Sequence, residues 1–241
     1  MVLETTKYHP DTILKSNPCK ITRNKLVVIG ASTGGVDALS YIFSRLPASL
    51  PPIAVVQHIP PTFGSSFIKR LDTLSALTIC EVTSKQILKD NNVYVAGGDK
   101  HMVIDFDRGS YYASSLNEEC RISRHKPSVD ILFRSANNAA GRSTLGIILT
   151  GMGDDGCIGL KELYDNGAHT LAENQEDCVV FGMPKKAIEM GAVSEILSLD
   201  MIIHRIVDYA KKPLKDIINE KQEPAILLDD NTSSPASDLS K

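Results

Sequence analysis

No two of the five cysteines (Cys19, Cys80, Cys120, Cys157 and Cys178) fall within a CxxC spacing. The count is odd, so neither a disulfide framework nor a zinc knuckle is expected. Scattered reduced thiols point to the cytosol. Missing too is any run of about 18 or more apolar residues, the length that a membrane-spanning helix needs. The N-terminal residues, Met-Val-Leu-Glu-Thr-Thr-Lys, contain no apolar signal segment. These absences predict a cytoplasmic protein that is not inserted in a membrane. Nor does one charge dominate: 26 Lys and Arg stand against 29 Asp and Glu, a net charge of -3. That balance supplies no general attraction to nucleic acid or to an anionic membrane, so a partner must be recognised through a local patch.

What is present is ordinary for a globular chain. Of 241 residues, 42% are hydrophobic and 23% charged, enough for a core that needs neither disulfide nor metal. The length fits one large domain, or a medium one with tails. Residues 1–23 are polar and broken by Pro10 and Pro18, and are expected to be a leader or linker remnant. A domain is expected over residues 24–210. Residues 211–241 form a C-terminal extension whose polar end, around Asp229 to Pro235, cannot bury enough surface to offset its ordering entropy. The extension is therefore expected to be largely disordered.

Between these ends, short apolar runs alternate with helical patterns. Lys25 to Ile29, Ile53 to Gln57, Val93 to Ala96, Leu145 to Leu149 and Ala168 to Ala172 read as strands. Leu39, Ile42, Phe43 and Leu46 recur at the spacing of one helix face. Val129, Leu132, Phe133 and Ala136 mark another helix, with Pro127 near its start. Further helices are expected around Leu160 to Tyr164, Pro184 to Met190 and Ile202 to Val207. His101 to Asp105 and Tyr111 to Leu116 flank a turn at Asp107-Arg108-Gly109, the pattern of a hairpin. Strand-then-helix order with apolar strands predicts an α/β fold: a mainly parallel sheet covered on both faces, with an antiparallel hairpin added.

Three polar clusters each follow an apolar strand, where open α/β sheets place their active sites. The first is Gly30-Ala31-Ser32-Thr33-Gly34-Gly35. It carries G-x-S-x-G between strand and helix, a turn that lifts a serine hydroxyl into the open. Ser32 is thus a candidate nucleophile; the alternatives are a plain turn with Ser32 capping the helix, or a phosphate cradle. The lysine of a P-loop is absent. The second cluster is Gln57-His58-Ile59-Pro60-Pro61, where His58 is either a general base or a half-buried ring satisfied by backbone. The third is Thr150-Gly151-Met152-Gly153-Asp154-Asp155-Gly156. One of its aspartates can orient the histidine, or cap the next helix. No neighbouring motif completes a metal-ligand set. Taken together, a nucleophile, a base and an orienter form the set that acyl transfer requires. Their order, Ser-His-Asp, departs from the Ser-acid-His order of α/β-hydrolases.

These motifs, with Arg124-His125-Lys126-Pro127-Ser128-Val129-Asp130, Tyr94-Val95-Ala96-Gly97-Gly98-Asp99 and Val179-Val180-Phe181-Gly182-Met183-Pro184, occur in family order. Over about Leu26 to Val207 the chain resembles the catalytic domain of the CheB-type protein-glutamate methylesterases. The resemblance implies a three-layer α/β/α sandwich with a Ser-His-Asp triad. By motif, Ser32 is the nucleophile and His58 the base. Asp155 is the acid, because the family pattern G-M-G-x-D-G puts Asp154 at its variable place. Thr33 and Met152 fall where the family lines its active site and receives the oxyanion. The implied reaction is hydrolysis of glutamyl methyl esters on the cytoplasmic domains of chemotaxis receptors, with receptor glutamine deamidation as the same acyl chemistry. It implies no metal or organic cofactor, and other chemotaxis signalling proteins as partners.

Many members carry a receiver domain ahead of the esterase. About 23 residues precede the first strand here, too few for one, so a catalytic domain without a receiver is expected. The stretch Glu173-Asn174-Gln175-Glu176-Asp177-Cys178 departs from the common family wording. Cys157 and Cys178 are expected to pack as small hydrophobes. Lys185-Lys186 is expected to be a solvated helix face, with the acidic surface of a receptor as its alternative role. Three competing functions are a serine hydrolase acting on a non-receptor ester, a non-catalytic module binding phosphate or nucleotide through its glycine-rich loops, and a regulatory interaction protein with a degenerate site, against which the intact Ser32, His58 and Asp155 set argues.

Overall fold

The computed structural model describes residues 7–20, 24–219 and 226–227. Its elements, in chain order, are β1 (Leu26–Ala31), α1 (Gly35–Phe43), β2 (Ile53–Gln57), α2 (Pro61–Leu74), β3 (Thr78–Val82), β4 (Gln86–Ile87), β5 (Asn92–Ala96), β6 (His101–Asp107), β7 (Ser110–Leu116), α3 (Val129–Ala139), β8 (Thr144–Ile148), α4 (Cys157–Asp165), β9 (His169–Glu173), α5 (Met183–Glu189), β10 (Glu195–Leu197), α6 (Leu199–Lys211), α7 (Leu214–Asn219) and β11 (Ile226–Leu227). The main sheet has the order β11-β10-β9-β8-β1-β2-β5-β3, and every pairing in it is parallel. β4, β7 and β6 make a small antiparallel sheet.

The central strands are apolar along their whole length because both faces are covered. Along β1, Leu26 and Val28 point into one core with Leu132 and Phe133 of α3, Leu160 and Leu163 of α4, and the β6–β7 hairpin. Val27 and Ile29 point into the other, against α1, α2 and α6. The result is the three-layer α/β/α sandwich with an antiparallel addition that the sequence predicts. All five expected strands form, and the hairpin turns at Arg108 and Gly109, both with positive φ.

The elements expected from sequence do not include α2, β3, β4, β10, α7 or β11, and α7 falls within the extension expected to be largely disordered. Pro61 begins α2, a position where the missing N–H is no loss and the fixed φ suits the helix. Only Ile79 and Val82 of β3 are buried, so an edge strand of this kind has too weak an apolar signal to stand out. Residues 7–20, part of the segment expected as a leader, lie along α3. There Arg134 binds Asp11 (2.6 Å) and the Leu14 carbonyl (2.8 Å). Residues 1–6 and 21–23 of that segment, and most of the extension expected after residue 210, lie outside the described residues.

The α3–α4 crossing sets where α3 begins, and hence what it delivers to the site described below. Gly159 of α4 packs directly against α3. A Cβ there would stand 2.7 Å from Phe133 Cβ and 2.8 Å from the Asp130 carbonyl oxygen, one of which is backbone and cannot swing aside. Gly159→Ala is therefore expected to destabilise the fold by about 1–3 kcal/mol through overpacking. Urea unfolding checks this: the midpoint should fall with little change in slope.

Candidate active site

The strand order β8-β1-β2 puts the carboxyl ends of three neighbouring parallel strands side by side. β1 lies at the point where the chain turns outward in both directions, and ligand crevices form at such switch points. Ser32 leaves β1, His58 leaves β2, and residues 149–156 leave β8. The three clusters, scattered in sequence, are thus brought together by the sheet.

Backbone hydrogen bonds fix the three loops to one another. Ser32 N donates to Thr150 O (3.0 Å) and His58 N to Ala31 O (3.0 Å). Gln57 Nε2 donates to the Ser32 carbonyl at 2.8 Å. The turn after Ser32 requires Gly34, which has φ +85° and presses against the Val179 side chain and Thr150. Gly34 is also the N-cap of α1, with no side-chain cap bond. The helix-capping alternative for Ser32 is therefore not realised. The cap of α4 is likewise a glycine, Gly156, so neither aspartate of the third cluster caps that helix.

His58 and Asp155 meet: Nε2 lies 2.8 Å from Asp155 Oδ2. The other ring nitrogen, Nδ1, is buried and has no hydrogen-bond partner among the described residues. It is the nitrogen left for a serine hydroxyl, and in the structure Ser32 does not yet bond to it. The ring is held from the side by His125, stacked at 3.8 Å and 3° from parallel. Burial first, and the neighbouring His58 second, lower the pKa of His125 to about 4, so it stacks as a neutral ring near neutrality.

Asp155 is fully buried and heavily served. Its Oδ1 accepts from Ser128 Oγ (2.7 Å) and Asp130 N (3.1 Å), and its Oδ2 accepts from Val129 N (2.8 Å) as well as facing His58. Two of these donors are amides at the start of α3, where unpaired N–H groups and the helix dipole favour an anion. Burial pushes the Asp155 carboxyl up, but its bond to His58 and these donors outweigh that and hold it below the ordinary value. Asp154, by contrast, is partly exposed and pairs with Lys7 and with Arg124 at 3.5 Å. Of the two aspartates, it is Asp155 that contacts His58.

The remaining expected residues lie at the mouth. Met152 is 73% exposed, beside Val179 at 67%. Thr33 is exposed, and its carbonyl accepts from Thr150 Oγ1 at 3.0 Å. The Thr33 and Met152 amides have no acceptor among the described residues. Lys185 and Lys186 line a recess of about 340 Å³ with Arg124, Gly153, Asp154 and Gly182. Cys157 is buried under the site, and burial pushes its thiol well up. The same holds for the half-buried Cys178, so neither is a ready thiolate. Among the described residues, no group of three or more His, Cys, Asp or Glu side chains is arranged to hold a metal ion. No helix among them is long and apolar enough to cross a membrane.

Residues 27–206 match the family described as CheB methylesterase. The chain belongs to the CheB methylesterase family. It is 46% identical over 185 residues to protein-glutamate methylesterase/protein-glutamine glutaminase 2 of Chromobacterium violaceum, covering 77% of this chain and 52% of that one. To the protein-glutamate methylesterase/protein-glutamine glutaminase of Salmonella typhi it is 41% identical over 196 residues, covering 81% and 56% respectively. The chain thus spans about half the length of the curated relatives it matches. The crystal structure of the Thermotoga maritima CheB methylesterase catalytic domain superposes with a TM-score of 0.75 at 38% identity, covering 78% of this chain and 99% of that one.

Within this CheB domain, several site residues had no role assigned from sequence: Gln57, His125, Ser128, Asp130, Thr150 and Glu173. His125, Ser128 and Asp130 were in view only as part of the motif around Pro127. The polar residues bracketing that helix start were the available signal. Asp130 is the most consequential of them. It is fully buried, its Oδ2 accepting from Ser123 Oγ (2.9 Å) and its Oδ1 from Gly159 N (3.0 Å). Burial, and then the charge of Asp155, push its carboxyl up to about 8. Asp130 is therefore the protonated partner of an ionised Asp155 at neutral pH.

A carboxyl whose folded pKa is raised keeps its proton where the unfolded chain has lost it. Its contribution to stability then declines as pH rises from about 4 to about 8. Asp130→Asn, a neutral mimic, lacks that decline. Measured by thermal unfolding, the Tm of the variant relative to the parent is expected to rise between about pH 5 and about pH 8. An offset that is constant with pH would mean that Asp130 is not the proton holder.

Proposed function

We propose that the chain hydrolyses glutamyl methyl esters on the cytoplasmic domains of chemotaxis receptors, releasing methanol, and deamidates receptor glutamines by the same route. The observation that carries this proposal is the 2.8 Å contact between His58 Nε2 and Asp155, at strand ends adjoining the Ser32 turn. It leaves His58 Nδ1 as the base. Ser32 Oγ attacks the side-chain ester carbonyl carbon, and its proton passes to Nδ1. The Thr33 and Met152 amides receive the oxyanion, where one such donor is worth roughly 3 kcal/mol. The tetrahedral intermediate collapses, the C–O bond to the methoxy group breaks, and His58 returns the proton so that methanol leaves. Water, deprotonated by His58, then cleaves the glutamyl-Ser32 ester. A glutamine substrate follows the same steps with ammonia leaving. Asp155 fixes the ring and stabilises the imidazolium.

The substrate side chain stands on a receptor surface, and a site open at Met152 and Val179 suits a protruding residue better than a deep cleft would. The cations at the recess beside it, Arg124, Lys185 and Lys186, support an acidic face on the docking partner. The relatives named as methylesterase/glutaminase support the reaction class. The family alone supports the chemotaxis receptor as the partner, and neither supports a particular receptor. The domain limits, 24–210 for the esterase with flanking extensions, stand as part of the same proposal.

Methanol release from a methylated receptor cytoplasmic fragment is the direct test. The parent should release methanol, Ser32→Ala should release none above background, and Asp155→Asn should fall by roughly 10⁴-fold. Turnover of small esters without any of the receptor would favour the non-receptor hydrolase instead. Reversing the charges at Lys185 and Lys186 is expected to raise KM for the receptor fragment by roughly 10-fold. High salt should erase that difference, since exposed charges are screened. An unchanged KM would remove the recess from the docking surface.

A further inference from the structure

Glu173 is buried at the carboxyl end of β9, one strand beyond β8, and the mechanism above leaves it without a task. Its Oε2 accepts from Thr150 N at 2.7 Å. Its Oε1 is buried with no partner among the described residues. Thr150 is the hub of the loops around the nucleophile. Its carbonyl accepts from Ser32 N (3.0 Å), its Oγ1 donates to the Thr33 carbonyl (3.0 Å), and Oγ1 accepts from Val180 N (2.9 Å). A single buried carboxyl therefore anchors the residue to which both Ser32 and Thr33 are tied.

We propose that Glu173 is a positioning residue for the nucleophile: it holds Thr150, and through Thr150 the Ser32–Thr33 turn, and it does so as the neutral acid. This inference rests on Ser32 being the nucleophile.

The surroundings explain why the neutral form is the working one. The titratable groups that act on Glu173 are Asp177, of like charge, and the Cys178 thiol, both from the loop after β9. The loop after β8 brings the Thr150 amide. Of the charged groups on β10 and α6, Glu195 pairs with His169 at the opposite end of the strand, and Arg205 pairs with Glu195. Among the described residues no cation acts on Glu173, and burial pushes its carboxyl up to about 7. On ionisation the side chain becomes an anion with an unsatisfied oxygen, and a buried charge of that kind draws in water or moves. Either response disturbs Thr150. The anion also opposes the negative charge that develops on the nearby oxyanion. Acylation of Ser32 should thus decline at alkaline pH as Glu173 loses its proton.

The test is labelling of Ser32 by a fluorophosphonate, in which the serine oxygen bonds to phosphorus and fluoride leaves, followed from about pH 5 to about pH 9 in the full chain. The parent's labelling rate is expected to fall towards the alkaline end of that range. Glu173→Gln keeps an acceptor for Thr150 N and cannot ionise. It should match the parent within about twofold near pH 6 and exceed it by at least about fivefold at pH 9, losing the alkaline limb. The change should lie in the maximal labelling rate and not in the concentration dependence, as a positioning role requires. Parent and Glu173→Gln profiles that superimpose would overturn the inference while leaving Ser32 as nucleophile. A parent that is not labelled at any pH would overturn the Ser32 assignment and this inference with it.

Discussion

A carboxylate fully withdrawn from water has to be repaid in hydrogen bonds, and Asp155 is repaid by four groups on two different segments. His58 comes from the end of β2, and Ser128, Val129 and Asp130 from the start of α3, while Asp155 itself follows β8. Removing the anion would leave two amides at a helix N-terminus, a hydroxyl and an imidazole competing for nothing. The orientation of the histidine and the starting point of α3 are consequently one problem with one solution. That solution depends on Gly159, which lets α4 approach α3 closely enough for α3 to reach the loop after β8.

The same burial creates a second requirement. Asp130, one residue into α3, is also without exposed surface, and two ionised carboxylates cannot share so dry a region. The environment separates them. Asp155 gets the donors that favour charge, and Asp130 holds a proton. A third buried carboxyl, Glu173, lies on the far side of the loop after β8. The site is thus built on three buried acids, of which Asp155 is the one that faces the histidine. Around this dry interior the rim is different in kind: Met152 and Val179 are exposed and apolar, and the recess of Arg124, Lys185 and Lys186 is cationic. A rigid, desolvated base of the site and an open, mixed rim are what a reaction on a residue of another macromolecule requires.

Much of the fold was legible in the sequence for a simple reason. A strand buried on both faces must be apolar throughout, so β1, β2, β5, β8 and β9 stand out as runs, and the helix-face spacing of Leu39, Ile42, Phe43 and Leu46 is equally plain. β4 and β10 are short, β3 is a sheet edge, and all three are only partly buried, so no such pattern marks them. α2 was hidden by its two leading prolines. The site residues divide in the same way. Ser32, His58 and Asp155 sit in glycine- or proline-marked turns directly after strong strands, and those turns advertise them. His125, Gln57 and Glu173 act by stacking on, or bonding to, residues distant in sequence, and nothing local records that.

What the sequence determined by itself was the set of strands, the motifs after them and the family they resemble, because periodicity, turn chemistry and motif spacing are local properties of the chain. What only the tertiary structure decided was adjacency. The order β8-β1-β2 puts residues 32, 58 and 155 at one edge of the sheet, and the crossing of α3 over α4 turns a helix start towards Asp155. Which of two neighbouring aspartates meets the histidine, which nitrogen of the ring is left free, and which buried carboxyl keeps its proton all follow from distances between segments far apart in the chain.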